Sequence, residues 1–96
     1  MRALDVIREK REDILKLALS YGAHDVRVFG SVARGEETES SDIDFLMDME
    51  EGRSLLDQVG LLADLRELLG RNVDVVTEDS IYWLIRRRIL KEAKPV

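Results

Sequence analysis

Three aspartates and a glycine–serine pair are the residues of this chain whose types and spacing could do chemistry. Gly30 and Ser31 are followed, after ten further residues, by Asp42, and Asp44 comes two positions later. Because successive side chains of a strand alternate between faces, Asp42 and Asp44 would point the same way, ~7 Å apart. Asp74 lies in a second apolar run, which predicts a neighbouring strand. The three aspartates, called the carboxylate cluster below, are therefore expected to share one face of a sheet.

Clustered carboxylates repel one another and need a counter-charge. Mg²⁺ suits them because it is a hard cation that takes oxygen ligands and keeps positions open for substrate phosphates. Two such ions, ~3.5–4 Å apart, can hold both the attacking and the leaving oxygen of an in-line phosphoryl displacement. The cluster therefore predicts a magnesium site, and two ions are the expected number.

The glycine–serine pair predicts a phosphate site beside the carboxylate cluster. Val26–Phe29 reads as a strand, and Gly30 follows it, where a glycine permits close backbone approach and unusual dihedral angles. A short helix beginning at Ser31 would direct free N–H groups and a hydroxyl toward a phosphate. Arg34, one turn later, could add a bidentate phosphate contact. These three residues, Gly30, Ser31 and Arg34, are called the phosphate site below.

The motifs resemble those of the minimal nucleotidyltransferase (MNT) domain of the DNA polymerase β-like superfamily. The resemblance is carried by Gly30-Ser31-x-x-Arg34-Gly35 and Ser41-Asp42-x-Asp44. Asp74 falls where that family places its third metal-binding carboxylate, and the resemblance covers nearly the whole chain. It implies a Mg²⁺-dependent enzyme that moves AMP from ATP to an acceptor hydroxyl.

The resemblance also implies a role for each site residue. Asp42 and Asp44 would bind the metal that grips the triphosphate. Asp74 would join them in holding a second metal, which lowers the pKa of the acceptor hydroxyl. Gly30 and Ser31 would hold the terminal phosphates. Arg34 would neutralise charge that leaves with pyrophosphate.

Small members of this family are commonly the antitoxin half of a pair with a HEPN-domain toxin, as in the MntA type. Some of them adenylylate a tyrosine of the toxin. Larger relatives carry further domains that hold the acceptor, and nothing after Lys91 could do that here. We therefore expect the acceptor site to be completed by another copy or another protein, with a HEPN toxin as the expected partner.

Two other functions stay open at this stage. The chain could be a non-catalytic antitoxin, a binding module that neutralises its partner by contact while its site is vestigial. The intact carboxylate cluster argues for chemistry without excluding contact alone. A stand-alone enzyme that modifies a small molecule is a third possibility, and the missing acceptor domain disfavours it.

Composition predicts one small domain spanning residues 1–96. Hydrophobic residues make up 45% of the chain, which suffices for a core, and 36% of the residues are charged. There is no cysteine, and no apolar run is long enough for a membrane span, so we expect a cytoplasmic protein. The net charge of −5 disfavours nucleic acid and anionic membranes as partners.

Hydrophobic periodicity and turn residues predict an α/β (α+β) fold with helices against a three-stranded mixed sheet. The predicted strands are Asp25–Phe29, Asp42–Asp48 and Asn72–Thr77. The first predicted helix is Ala3–Tyr21, with a stop at Gly22. The second begins at the capping box Ser54-x-x-Asp57, ends at Gly70 and carries an apolar stripe at Leu55, Val59, Leu62, Leu65 and Leu69. The last predicted helix is capped by Asp79-Ser80 and reaches Lys91. A loop or short helical turn is expected over Gly30–Ser41.

The remaining polar and aromatic residues have mostly structural interpretations. Ser41 is expected to brace the strand entrance by a local hydrogen bond, and His24 to lie on the surface. Asp48 shares the strand face of Asp44 but lies a further ~7 Å away, so it is left out of the site. Three further interpretations are that Arg34 could pair with Glu36 or Glu37, that Glu36, Glu37 and Glu39 form a solvated loop, and that Tyr82 and Trp83 pack one face of the last helix.

The last helix also carries Arg86, Arg87, Arg88 and Lys91. These cations could contact an anion, but the preferred interpretation is that they complement the helix dipole. Trp, Tyr and Arg dominate binding hot spots. The same helix is therefore a candidate contact surface for a partner protein.

Overall fold

The computed structural model describes residues 2–96 and confirms the predicted α/β class. Its α-helices are α1 (Ala3–Glu9), α2 (Arg11–Ser20), α3 (Gly30–Arg34), α4 (Leu55–Leu69) and α5 (Trp83–Glu92). Its strands are β1 (Ala23–Phe29), β2 (Ile43–Met49), β3 (Val73–Thr77) and β4 (Lys94–Pro95). A 3-10 turn, Glu78–Ser80, precedes α5.

The sheet is mixed and has the strand order β3-β2-β1-β4. Strand β2 runs antiparallel to β1 and parallel to β3. The prediction of three strands was wrong by one, because β4 adds to the outer edge of β1. A strand of two residues shows no alternation in sequence, and its Pro95 is tolerated because an edge position does not require every backbone N–H.

Strand alternation separates the core from the carboxylates. Ile43, Phe45 and Met47 of β2 are completely buried and belong to the main hydrophobic cluster. The helices contribute residues at helical spacing to the same cluster: Ala3, Ile7, Ile14 and Ala18 from α1 and α2, and Leu61, Leu65 and Leu69 from α4. Asp44 lies between core residues of β2, so its side chain projects from the opposite face.

Two helix predictions were wrong in their bounds. The first helix is divided in two at Lys10, which has φ −103° and ψ 18°. The buried residues Ile7 and Ile14 are separated there by Lys10 and Arg11, so no buried side chain holds a continuous helix against the sheet. The last helix does not begin at Asp79-Ser80, because those residues form the 3-10 turn and α5 starts only at Trp83.

The predicted capping box of α4 is confirmed, but its apolar stripe is partly wrong. The backbone N–H of Ser54 donates to Asp57 Oδ2 at 3.0 Å, and Gly70 ends the helix in the left-handed region with φ 64°. Leu55 and Val59, at the N-terminal end of the helix, are exposed. Only the C-terminal half of α4 therefore packs fully into the core. Across residues 2–96, none of the helices combines the length and the apolar character that a bilayer crossing demands.

Candidate active site

The parallel pairing of β2 with β3 brings two members of the carboxylate cluster side by side. Asp44 and Asp74 are partners in the register, and neighbouring strands lie ~4.8 Å apart. Asp42 immediately precedes β2, where the backbone N–H of Ile43 is bonded to the carbonyl of Asn72. The strand register therefore places carboxylates from two strands on the same face of the sheet.

The charges of these carboxylates act on one another. Partial burial, followed by repulsion from Asp74 and Asp42, raises the pKa of Asp44 from 3.8 to about 6, while Arg34 opposes the rise. Near neutral pH the ionised cluster is therefore electrostatically unfavourable in this fold. A set of donors made only of carboxylate oxygens fits a hard divalent cation such as Mg²⁺, which would supply the missing positive charge.

The side chain of Asp44 leaves no room for a side chain at position 30. Gly30 has φ +77°, in the left-handed region, and a β carbon added there would collide with Oδ2 of Asp44. Any side chain at this position would thus strain the backbone and displace the carboxylate. Sequence reasoning related Gly30 to close phosphate approach, whereas the structure adds that its bare backbone makes room for a member of the carboxylate cluster.

Arg34 lies one turn after the start of α3 and contacts two carboxylates. Its Nε donates to Glu36 Oε2 at 2.8 Å, as one interpretation of the sequence expected. Its Nη1 lies 3.1 Å from Oε2 of Glu92, a residue that sequence reasoning did not identify. The backbone N–H of Gly30 donates to Glu92 Oε1 at 3.0 Å. The only sequence signal of Glu92 is that it is the one acid in a basic helix.

The loop between α3 and β2 is fastened by Glu37, which corrects the expectation that all its glutamates are solvated. The side chain of Glu37 is only 9% exposed and lies 3.0 Å from Nη1 of Arg71. Its other oxygen accepts the backbone N–H of Ala3 at 2.9 Å. The predicted bracing role of Ser41 is confirmed, because its Oγ accepts the N–H of Thr38 at 2.8 Å. These contacts fix the loop that leads into Asp42.

Asp48 belongs to a second acidic group. The carboxylates of Asp25, Asp48 and Glu78 lie within 4.8 Å of one another. The guanidinium of Arg27 is among them, with Nη2 3.1 Å from Glu78 and 3.4 Å from Asp25. An internal cation therefore already provides counter-charge to this group. His24 lies on the surface as expected, where its Nε2 is 2.8 Å from Glu50.

The expectation that Tyr82 and Trp83 pack one face of the last helix was wrong, because both side chains are exposed. Their exposures are 58% and 72%, and Leu84 and Ile85 are exposed as well. None of the residues of α5 is buried. Tyr82 and the first residues of the helix therefore form an exposed apolar strip, Tyr82 to Ile85, in the same segment as the exposed cations Arg87, Arg88 and Lys91.

Comparisons with known proteins agree with this geometry. A family model described as "Nucleotidyltransferase domain" matches residues 7–96. A protein of Methanocaldococcus jannaschii, provisionally named a protein adenylyltransferase, is 47% identical over 90 residues, with 94% of this chain and 97% of that protein covered. A solved structure provisionally described as a minimal nucleotidyltransferase is also 47% identical and has a TM-score of 0.89, with 100% and 97% of the two chains covered. A chain from a toxin–antitoxin structure with AMP-PNP shares the fold, with a TM-score of 0.74, 22% identity and coverage of 88% and 69%.

Proposed function

This chain belongs to the nucleotidyltransferase domain family, and we propose that it transfers AMP from ATP to a hydroxyl group of a partner protein in the cytoplasm. The observation that carries the proposal is the register of β2 and β3, which sets Asp44 beside Asp74 on an accessible face of the sheet. The name of the Methanocaldococcus jannaschii relative supports AMP as the group transferred. We further propose that residues 1–96 act as one catalytic domain.

Asp42, Asp44 and Asp74 would hold Mg²⁺ in this proposal, with two ions as the expected number. When bound, the cation would supply positive charge for the phosphates and would lower the pKa of an acceptor hydroxyl. The protein's own contribution is to keep the carboxylates in place before substrate arrives. Asp44 and Asp74 are fixed by the strand register, and the fastened loop before β2 limits the movement of Asp42.

Gly30, Ser31 and Arg34 would bind the terminal phosphates of ATP. Gly30, Ser31 and Arg34 lie in the short helix α3, whose first backbone N–H groups and whose guanidinium are the types of donor that phosphate oxygens accept from. In the reaction the acceptor oxygen forms a bond to the α-phosphorus, and the bond from that phosphorus to the oxygen leading to the β-phosphate breaks. Pyrophosphate would leave with additional negative charge, which Arg34 would neutralise in this proposal.

The partner in this proposal is a HEPN-domain toxin, and its hydroxyl is the acceptor. The sequence resemblance suggests this partner, and the fold shared with the toxin–antitoxin chain supports it. The exposed strip Tyr82–Ile85 supports a protein contact on α5, because Trp, Tyr and Arg side chains are typical of binding hot spots. The exposed cations of α5 would favour acidic groups on the docking face of the toxin.

Co-expression tests the proposal most simply. The chain would be produced with the protein encoded by the adjacent gene, and both proteins would be weighed by intact mass spectrometry. We expect an AMP-sized mass increase on the partner, and relief of its toxicity. The increase should disappear when Asp42 and Asp44 are both changed to asparagine. An unmodified partner in the presence of a folded wild-type chain would contradict the proposal.

The same variant tests the alternative that the chain acts by contact alone. The exposed strip on α5 is the specific observation that favours this second function. If the Asp42→Asn, Asp44→Asn chain still relieves toxicity without modifying the partner, the chain is a binding module. If protection and modification are lost together while the two proteins still co-purify, the chain neutralises its partner by catalysis.

A further inference from the structure

Glu92 ends α5, and its carboxylate lies at the start of α3, within the phosphate site. Its side chain is only 18% exposed. Oε1 accepts the backbone N–H of Gly30 at 3.0 Å and lies 3.2 Å from Nη1 of Arg34, while Oε2 lies 3.1 Å from the same nitrogen. The carboxylate is thus an anion held by one backbone amide and one guanidinium. These are the donors that the proposed function gives to the terminal phosphates of ATP.

We propose that Glu92 is a built-in competitor of the triphosphate and must leave Gly30 and Arg34 before ATP can bind them. This inference rests on the proposed function, because it concerns the same phosphate site. The N–H of Gly30 has a single proton and cannot make a full hydrogen bond to Glu92 and to a phosphate at once. A phosphate beside an unmoved Glu92 would also meet a second negative charge with little water between them.

The position of Glu92 in the fold allows this exchange. It is the last residue of a helix that buries none of its residues, so a shift of α5 would disturb little of the core. The chain after the helix is held separately, by the pairing of β4 with β1 and by Lys94, whose Nζ donates to the carbonyl of Ala33 at 2.8 Å. Glu92 can therefore leave the phosphate site while the C-terminal segment stays attached.

The exchange links the phosphate site to the exposed strip on α5. Glu92 is the last residue of α5, and the exposed strip lies at the other end of the same helix, so a shift of α5 that withdraws Glu92 would also move the strip. A protein that binds the strip only when α5 has shifted and withdrawn Glu92 would favour ATP binding. The converse also follows, because coupling between two sites is reciprocal.

Nucleotide affinity of Glu92→Gln tests the inference. Glutamine keeps the size of the side chain and removes the charge that competes with phosphate. Calorimetric titration with a non-hydrolysable ATP analogue and Mg²⁺ should give a Kd roughly 2- to 5-fold lower than that of the wild-type chain, the effect expected for removing a partly exposed ion pair. Adenosine, which has no phosphates, should show no such gain.

Glu36→Gln is the matched control, because Glu36 also pairs with Arg34 but makes no hydrogen bond to Gly30. Its Kd for the analogue should change by no more than about two-fold. An equal gain in both variants would overturn the inference, since the effect would then come from freeing Arg34 alone. A Kd of Glu92→Gln that is unchanged or higher, in a variant with the wild-type unfolding temperature, would also overturn it.

The outcome separates this inference from the proposed function. If the wild-type chain binds the analogue and Glu92→Gln gains nothing, only the competitor role fails. If neither chain binds the analogue, both the nucleotide site and the competitor role fail. Binding by Glu92→Gln in the absence of detectable binding by the wild-type chain supports both.

Discussion

Replacing Asp44 with asparagine should stabilise the metal-free protein at neutral pH. The carboxyl of Asp44 has a pKa of about 6 in the folded chain, against an ordinary value of 3.8. A group with a raised pKa binds its proton more tightly when the chain is folded. Binding of this proton by Asp44 therefore contributes fully to the free energy of folding below pH 3.8, and the contribution is lost as the pH rises through about 6. Asparagine removes the charge that causes this loss.

The size of the effect follows from the difference between the two pKa values. Without any reduction for solvent, the difference between the two pKa values corresponds to about 3 kcal/mol in the free energy of unfolding. Asp44 is only partly buried, however, and solvent screens much of the repulsion from its neighbours. We therefore expect Asp44→Asn to raise the free energy of unfolding by about 1 kcal/mol at pH 7.5, with the gain disappearing near pH 4.

The assay is urea unfolding in the presence of EDTA, followed by circular dichroism at both pH values. Asp79→Asn is the control, because it removes the same charge at an exposed position outside the cluster. Its effect should stay within about 0.5 kcal/mol. A destabilised Asp44→Asn chain at pH 7.5, or a gain that is as large at pH 4 as at pH 7.5, would refute the electrostatic reasoning.

Two glycine substitutions test packing around the same sheet. Gly30→Ala should cost about 1–2 kcal/mol because of its positive φ, and should lower Mg²⁺ affinity by displacing Asp44; unchanged urea unfolding and calorimetric Mg²⁺ binding would contradict this. Gly60→Ala gains about 1 kcal/mol in helix propensity, but its β carbon would lie 2.7 Å from the ring of Tyr21, whose hydroxyl is bonded to Asp64. We expect a net loss of about 1 kcal/mol by urea unfolding, and a more stable variant would show that the ring can move aside.

The carboxylate cluster could be located from sequence because its geometry is local. Alternation along a strand relates Asp42 to Asp44 without any knowledge of the rest of the chain. The apolar residues around Asp74 indicated a second strand. The parallel register of that strand with β2, which pairs Asp74 with Asp44, is seen only in the assembled sheet. Patterns with a period of two residues are therefore sufficient to predict the elements that carry the cluster.

Contacts between distant segments could not be predicted in the same way. Glu92 reaches Gly30 across 62 positions, and Glu37 meets Arg71 across 34. Glu92 is marked only as the one acid in a basic helix, and nothing in the local pattern around Glu37 distinguishes it from a solvated glutamate. The apolar residues at the start of α5 were misleading for a related reason, because helical spacing indicates a stripe but not whether another element covers it.

Transfer of AMP by the carboxylate cluster can be distinguished from other reactions of ATP by following the α-phosphate and the γ-phosphate separately. The purified chain, its partner and Mg²⁺ would be incubated with ATP labelled at the α-phosphate or at the γ-phosphate. We expect protein-bound α-label, no protein-bound γ-label, and no incorporation of either label with the Asp42→Asn, Asp44→Asn chain or in EDTA. Incorporation of the γ-label, or α-label incorporation that survives loss of both aspartates, would contradict transfer of AMP by the cluster.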